Sequence, residues 1–258
     1  MSSDELRYER RDAVAFITFN RPRARNAMTW AMYEELFECC ETVDEDDEVR
    51  VAVLRGAGGK AFVSGTDIKQ FAEFRTGEDG ISYEKRVERV VGRLESVSKP
   101  TVAVIDGYAT GGGLAIAAAC DLRICTPNAK FGLPIARTLG NCLSMENYAR
   151  LVALIGPARA KEIIYTARSL SAEEALGAGL ATEVVSGDDL DGRVDELCKQ
   201  LVQHAPITLR VTKEAIRRIA AVQVPSGQDL VSEAYNSEDF HEGVTAFVDK
   251  REPRWRGA

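Results

Sequence analysis

The stretch KPTVAVIDGYATGGGLAIAAACDLRI, from Lys99 to Ile124, joins a β-strand pattern to a helix pattern through three consecutive glycines. Its first part, Pro100 to Gly107, has the apolar, β-branched composition of a buried strand. After ATGGG, a run of small apolar residues up to Cys120 predicts a buried helix. Glycines at a helix start allow close approach of a ligand or another backbone, and the first helical N–H groups lack partners within the helix. The glycines therefore permit either an anion-binding turn or simply tight packing of the helix on the sheet.

A second strand-to-helix junction occurs earlier, in AFVSGTDIKQF from Ala61 to Phe71. It also exposes backbone N–H groups, around Ser64, Gly65 and Thr66. If the two junctions follow neighbouring strands of one sheet, they face the same crevice from different sides. Two convergent amides form an oxyanion hole, which stabilises negative charge on a carbonyl oxygen. A dinucleotide site is disfavoured because no G-x-G-x-x-G follows the first strand.

Composition limits the classes of partner. The chain has 258 residues, 45% of them hydrophobic, and a net charge of -7. This length and apolar content suffice for a large core, and the acidic surface does not favour nucleic acid or an anionic membrane. The charged start and the lack of a long apolar run predict a cytoplasmic protein without a membrane segment.

The six cysteines and two histidines give no metal-binding or disulfide spacing. No C-x-x-C pair occurs, and the cysteines do not cluster with the two histidines, His204 and His241. We therefore expect free cysteines, no metal and no permanently bound cofactor.

Strand and helix patterns alternate through the first part of the chain and give way to helices after Pro157. Strands are predicted at 13–19, 49–56 and 100–107, with a helix after Thr29 as its N-cap. LRICTPNAKFGL supplies at least one more strand, and SEDFHEGVTAFVDKR predicts a helix near the end. Such β-α-β units imply parallel pairing. The expected class is α/β, a strand-rich core followed by a helical region.

Five separated motifs resemble those of the crotonase (enoyl-CoA hydratase/isomerase) superfamily. They are FNRPRARNAM, KAFVSGTDIKQF, the Lys99–Ile124 stretch, AKFGLP and EGVTAFVDKREPRW. The resemblance implies a spiral of repeated β-β-α units over residues 1–195 and a helical trimerisation region over 196–258. It also implies homotrimers or homohexamers acting on acyl-coenzyme A in fatty acid metabolism, with coenzyme A as part of the substrate. The oxyanion-hole amides would fall on Ser64 and Gly112.

The family pattern, transferred position by position, implies a coenzyme A thioester site made of the donor Gly112 and three other segments. Two lie around the first two motifs, and the third lies in the C-terminal helix, which commonly completes the site of a neighbouring subunit. The implied binding residues are Arg23, Arg25, Ala27, Ser64, Gly65, Thr66, Asp67, Ile68, Lys69, Gly112, Phe247 and Lys250. A cationic pocket among Arg23, Arg25, Lys69 and Lys250 would reconcile an anionic ligand with an acidic protein, although each charge is equally explained as a solvated surface residue.

The sequence departs from the superfamily pattern at two catalytic positions. Hydratases of this superfamily carry one glutamate three residues after the donor glycine and another after the proline of the AKFGLP motif. Here Ala115 and Ile135 occupy these positions, and neither can move a proton. Because a positioned acid or base supplies roughly a hundred- to ten-thousandfold in rate, the ordinary hydration mechanism is doubtful.

Replacement groups would come from two other segments. Residues 136–147 offer Arg137, which could clamp a carboxylate, and Asn141, which could hydrogen-bond a substrate or shape a turn. Cys142 and Glu146 are in the same loop. Residues 75–90 offer Asp79, Tyr83 and Glu84 as potential proton carriers. A solvated helix face without a chemical role explains the same residues.

Three functions stay open at this stage. The first is an enzyme on acyl-CoA esters that stabilises an enolate-type intermediate, whether as hydratase, isomerase, decarboxylase or thioester hydrolase. The second is a coenzyme A thioester-binding protein without turnover. The third is an assembly subunit that keeps the fold without the ligand.

Overall fold

The computed structural model describes residues 4–221 and 226–257. Its strands are β1 (Leu6–Arg11), β2 (Val14–Phe19), β3 (Val51–Gly56), β4 (Ala61–Val63), β5 (Thr101–Ile105), β6 (Tyr108–Thr110), β7 (Leu122–Cys125), β8 (Lys130–Gly132), β9 (Ser169–Ser171) and β10 (Glu183–Val184). Its helices are α1 (Trp30–Glu45), α2 (Gly77–Glu95), α3 (Gly112–Ala119), α4 (Ile135–Thr138), α5 (Met145–Tyr165), α6 (Ala172–Gly177), α7 (Leu190–Gln203), α8 (Pro206–Ala221), α9 (Gln228–Asn236) and α10 (Glu238–Val248). Short 3-10 turns occupy Pro22–Ala24 and Ile68–Phe71.

The strands form two sheets. The larger has the order β1-β2-β3-β5-β7-β10, in which β1 is antiparallel to β2 and the other pairs are parallel. The smaller has the order β4-β6-β8-β9, with β9 antiparallel to β8. Three successive strand pairs, β3–β4, β5–β6 and β7–β8, each contribute one strand to each sheet before the chain enters a helix. This repetition is the predicted spiral of β-β-α units.

The larger sheet separates two apolar clusters. Because side chains alternate along a strand, Ala52, Leu54 and Ala103 face the main core, whereas Val53 and Val102 face the opposite side. That second side is covered by α7 through Leu190, Val194 and Cys198. Helix α7 runs from 190 to 203 without interruption, so a domain boundary at 195 would cut through it. The trimerisation role of residues 196–258 stays a prediction.

Most predicted elements form, with differences at their ends. Thr29 caps α1 as expected, its side chain accepting a hydrogen bond from Met32 N. A 3-10 turn, rather than an α-helix, follows Asp67, and the LRICTPNAKFGL stretch holds two strands, one in each sheet. The charged strand β1 was not predicted, because its exposed edge position removes the apolar pattern.

Helix α9 packs on α2 through a glycine. A Cβ at Gly80 would lie 2.2 Å from Cγ of Tyr235, so the two helices approach more closely than a larger side chain would allow. Gly77 N also donates to the side chain of Asn236. This contact brings the ring of Tyr235 into the core beside α2. Among the described residues, no helix is both long and apolar enough to cross a bilayer.

Candidate active site

The first glycine turn leaves one backbone N–H without a partner, and it is not the predicted one. Ser64 N donates to the carbonyl of Arg25 at 3.1 Å. Met28 N donates to Gly65 O and Asp67 N to Met28 O, which pins the backbone on either side of Thr66. Thr66 N has no acceptor among residues 4–221 and 226–257. The structure thus contradicts Ser64 as a donor, because its N–H is already used, and indicates Thr66 instead.

The second glycine turn frees the predicted donor. Gly111 has a φ of 55°, a left-handed conformation that favours glycine, and it directs the chain from β6 into α3. Its own N–H donates to Gly132 O at 3.0 Å. Gly112 is the first helical residue, so its N–H has no acceptor in the preceding turn. No other acceptor for the Gly112 N–H is present among the described residues.

The two turns touch one another. A Cβ at Gly111 would lie 3.4 Å from Cα of Gly65, and a Cβ at Gly112 would lie 3.4 Å from Oγ1 of Thr66. Both turns line one cavity of about 350 Å³. The free N–H groups of Thr66 and Gly112 therefore belong to adjoining backbone segments on the wall of the same cavity. This is the arrangement that an oxyanion hole needs.

The cavity is lined mainly by apolar side chains. Ala115 and Ile135, at the two positions where the resemblance implies glutamates, are both on its wall. The complete lining is Ala24, Ala27, Ser64, Gly65, Thr66, Asp67, Ile68, Phe71, Tyr83, Glu84, Val87, Thr110, Gly111, Gly112, Ala115, Pro134, Ile135, Thr138, Leu139, Asn141, Leu143, Asn147 and Phe247. Low local polarity strengthens any hydrogen bond made to a developing charge inside it.

Two buried tyrosines hold the side chain of Thr66. Its Oγ1 is 2.8 Å from the hydroxyl of Tyr33 and 2.9 Å from the hydroxyl of Tyr83. Burial raises the pKa of Tyr33 to about 12, so this hydroxyl stays protonated. Helices α1 and α2 are thereby connected to the turn that carries the Thr66 amide. Sequence reasoning had no signal for this cluster, because the three residues are far apart in the chain.

Glu84 is a buried carboxyl group on the cavity wall. Oε1 accepts a hydrogen bond from the hydroxyl of Tyr235 at 2.9 Å, and Oε2 accepts one from Ser144 N at 3.0 Å. Burial raises the pKa of Glu84 to about 8, and the hydrogen bonds from Tyr235 and Ser144 partly oppose that rise. The interpretation of Glu84 as part of a solvated face is wrong, since only 5% of the residue is exposed.

Asn141 also reaches the cavity. Its Nδ2 donates to the hydroxyl of Tyr235 at 3.3 Å, which extends the hydrogen-bond chain from Glu84. Its Oδ1 is buried and has no partner among the described residues. The other expected polar group of this loop, Arg137, is exposed on α4 and does not line the cavity. The alternative of a carboxylate clamp by Arg137 therefore has no support from this geometry.

Some of the predicted coenzyme A residues line the cavity, and others are exposed outside it. Ala27, Gly65, Ile68 and Phe247 line the cavity, in addition to the residues of the first turn already described. Arg23, Arg25, Lys69 and Lys250 are exposed and lie outside the lining. The guanidinium of Arg25 lies 5.4 Å from the ring centre of Tyr108. Phe247 completes a cavity of its own chain, whereas the resemblance implied contribution to a neighbouring subunit.

The remaining candidates have structural roles. Asp67 pairs with Arg21 at 3.1 Å and caps the 3-10 turn through Lys69 N. Asp79 forms a capping box with Thr76 at the start of α2. Burial raises the pKa of the Cys142 thiol to about 12, which disfavours the thiolate that a nucleophile requires. Within the described ranges, no group of three or more potential ligands could hold a metal ion.

The family model for enoyl-CoA hydratase/isomerase matches residues 9–258. The chain belongs to this family. Its members are enzymes, and the chain is 35% identical to the short-chain-enoyl-CoA hydratase of Clostridium acetobutylicum over 97% of each sequence.

Solved structures of the family share the fold over nearly the full length. An enoyl-CoA hydratase/carnithine racemase from Magnetospirillum magneticum has a TM-score of 0.82 at 32% identity, covering 100% of this chain and 97% of that one. Methylmalonyl-CoA decarboxylase in complex with 2-nitronate-propionyl-CoA has a TM-score of 0.91 at 25% identity, covering 99% of each. The relatives thus include more than one reaction type on one architecture.

Proposed function

We propose that this chain is an acyl-CoA enzyme that binds the thioester in the described cavity and stabilises an enolate-type intermediate. The observation that carries the proposal is the pair of free backbone N–H groups, Thr66 and Gly112, in two touching turns on one cavity wall. Family membership supports the substrate class, because the named relatives act on coenzyme A thioesters.

The geometry suits a reaction in which charge develops on the thioester oxygen. Donors that are already oriented need no reorganisation when that charge appears, and loss of one such donor typically lowers kcat by about 10²- to 10³-fold. Thr66 N is oriented by the hydrogen bonds of Met28 on both sides, and Gly112 N by the start of α3. The complex of methylmalonyl-CoA decarboxylase supports an enolate-type intermediate, because its nitronate ligand resembles an enolate in charge distribution.

The cavity wall does not favour the two-glutamate hydration mechanism. Ala115 and Ile135, where the superfamily pattern has glutamates, present only hydrocarbon. Activation of water and protonation of carbon need a positioned base and a positioned acid. We therefore propose an enolate reaction other than ordinary hydration, such as double-bond isomerisation or decarboxylation.

The oxyanion hole is tested with butyryl-CoA carrying ¹³C at the thioester carbonyl. We expect the infrared carbonyl stretch of the bound ligand to lie below that of the free ligand, because two hydrogen bonds weaken the C=O bond. The Gly112→Ala variant should reduce this shift, since its Cβ would lie 2.6 Å from the hydroxyl of Tyr33 and must displace the turn. Gly192→Ala on α7 is the matched control, because nothing lies within 4 Å of its Cβ. An unshifted carbonyl at saturating ligand would contradict the oxyanion hole.

The reaction type is tested with a panel of enoyl-, malonyl- and hydroxyacyl-CoA esters. Mass spectrometry detects gain of water, loss of carbon dioxide or thioester cleavage, and ultraviolet absorption detects formation of a conjugated enoyl thioester. We expect loss of carbon dioxide or double-bond migration to exceed hydration. Hydration at the rate of a two-glutamate enzyme would contradict the proposal.

We also propose a homotrimer or homohexamer. The proposal is supported by apolar side chains that α8 exposes in the single chain, where Ile207, Ile216 and Ile219 are each more than half exposed. Light scattering on the purified protein tests it, and a monomeric mass would contradict it.

A further inference from the structure

Glu84 differs from the other carboxylate on the cavity wall in having no cationic partner among the described residues. Two carboxylate side chains line the cavity, Asp67 and Glu84. Asp67 is held by Arg21 in an ion pair. Glu84 has no cationic partner in the described part of the chain, although it is 5% exposed. An unpaired buried carboxyl is costly for folding, so its position against an open cavity suggests a chemical use.

We propose that Glu84 is the acid–base residue of this site, which removes a proton from the α-carbon of the bound thioester and returns one to carbon. The inference rests on the proposed function, since it takes the thioester oxygen to be held by the amides of Thr66 and Gly112. It assigns to α2 the task that the superfamily pattern gives to the positions of Ala115 and Ile135.

The position of α2 supports this role. Tyr83, the residue before Glu84, contacts Oγ1 of Thr66 through its hydroxyl at 2.9 Å. The helix therefore passes directly beside the turn whose N–H would hold the thioester oxygen. Tyr83 and Glu84 both line the same cavity as Gly112, so a thioester held by the two amides would share that cavity with the side chain of Glu84.

The surroundings of Glu84 accommodate both of its protonation states. As a carboxylate it accepts hydrogen bonds from Tyr235 Oη and Ser144 N. As a neutral acid it avoids the desolvation cost, and burial places its pKa at about 8, close enough to neutrality for both forms to be present. The charges of Glu88 and Glu146 disfavour the carboxylate form of Glu84. The charge of Glu84 in turn raises the pKa values of the neutral groups around it, which are Tyr235, Tyr83, Tyr33, Cys142 and Tyr148.

The proton transfer balances without any further reactant. The carboxylate of Glu84 takes the α-proton, the C–H electron pair becomes the C=C bond of the enolate, and the carbonyl π pair moves onto the oxygen. The carboxylic acid then returns its proton to the α-carbon, or to the γ-carbon of an unsaturated acyl chain. The second course moves the double bond by one position. The substrate class is therefore an enoyl thioester whose double bond migrates through an enolate.

The experiment separates binding from proton transfer. Butyryl-CoA is incubated with the full-length protein in D₂O, deuterium at the α-carbon is measured by mass spectrometry, and binding is measured by calorimetry. We expect exchange by the wild type and at least about a 100-fold slower exchange by Glu84→Gln, with affinity for butyryl-CoA unchanged within about threefold. Glu78→Gln, an exposed glutamate of the same helix, is the matched control and should exchange normally.

Each other result has one meaning. Equal exchange by Glu84→Gln and wild type overturns the inference while leaving the thioester site intact. Binding by the wild type without any exchange also overturns it. Absence of both binding and exchange in the wild type overturns the proposed function together with the inference.

A pH profile gives a second readout that does not depend on the stability of Glu84→Gln. Wild-type exchange should rise with pH through an apparent pKa of about 8, because the carboxylate is the base. Tyr235→Phe removes a hydrogen bond that favours the carboxylate, so its profile should move to higher pH. Profiles that are flat, or identical in the two proteins, overturn the inference.

Discussion

The hydroxyl of Tyr235 on α9 donates a 2.9 Å hydrogen bond to Oε1 of Glu84 on α2, across more than half of the chain. The close packing of Gly80 against the Tyr235 ring makes this contact possible. A C-terminal helix thus helps to set the protonation of a group on the wall of the candidate active site. The consequences concern stability as well as chemistry.

Stability should fall with rising pH because of Glu84. Burial raises its pKa from an ordinary value of 4.5 to about 8 in the folded state, so the folded chain binds the proton more tightly than the unfolded chain. Stability is then fully present below the unfolded pKa and is lost as pH rises towards 8. At about 1.4 kcal/mol per pKa unit, the rise from 4.5 to about 8 corresponds to a loss on the order of 5 kcal/mol.

Denaturant unfolding of wild type and Glu84→Gln between pH 5 and pH 9 measures this effect. The difference between the two free energies of unfolding should shift in favour of the glutamine variant as pH rises. A constant difference over the whole range would contradict the raised pKa.

Removal of the Thr66 hydroxyl should destabilise the protein. Thr66→Val leaves the buried hydroxyls of Tyr33 and Tyr83 without the partner that lies 2.8 Å and 2.9 Å away. Unsatisfied buried polar groups cost about 1–3 kcal/mol, so urea unfolding should show a loss in this range. Thr66→Ser keeps the hydroxyl and should recover most of the stability. Equal stabilities of the valine and serine variants would argue against this network.

The loss of thioester carbonyl polarisation caused by Gly112→Ala should depend on the hydroxyl of Tyr33. The added Cβ would lie 2.6 Å from the Tyr33 hydroxyl, so Tyr33→Phe creates the missing space. We expect the loss of thioester carbonyl polarisation in the double variant to be smaller than the sum of the two single losses, because contacting residues are coupled. Strict additivity in the infrared shift would show that the steric contact is not the cause.

The glycine after the donor should be essential for folding rather than for chemistry. A Cβ at Gly113 would lie 1.9 Å from the carbonyl oxygen of Val63, a backbone atom that cannot move aside. Gly113→Ala should therefore destabilise by about 3 kcal/mol or more in chemical denaturation, a typical cost of severe overpacking. Gly192→Ala adds a methyl group in open space and should be neutral or slightly stabilising. Similar stabilities of the two variants would contradict the close packing of the turns.

The exposed lysines should contribute to coenzyme A affinity through long-range charge. Lys69 and Lys250 lie outside the cavity, where the coenzyme's phosphates would meet solvent. The double variant Lys69→Gln/Lys250→Gln should weaken acyl-CoA binding by about fivefold at low salt and less at high salt, since surface charges are screened. Lys199→Gln on α7 is the control. Unchanged affinity at low salt would remove both lysines from the site.

The sequence by itself determined the family, the alternation of strands and helices, and the two glycine turns, because these depend on local patterns and on residues that only a tight turn accepts. Position-by-position transfer predicted Gly112 as a donor, and its N–H is free because it is the first residue of a helix. Only the tertiary structure decided that Ser64 N is used by Arg25 O and that Thr66 N is free. It alone brought Tyr235 to Glu84, which are 151 residues apart in the chain. The acidity of a carboxyl group depends on what surrounds it in three dimensions, and helix periodicity could not distinguish a buried Glu84 from a solvated one.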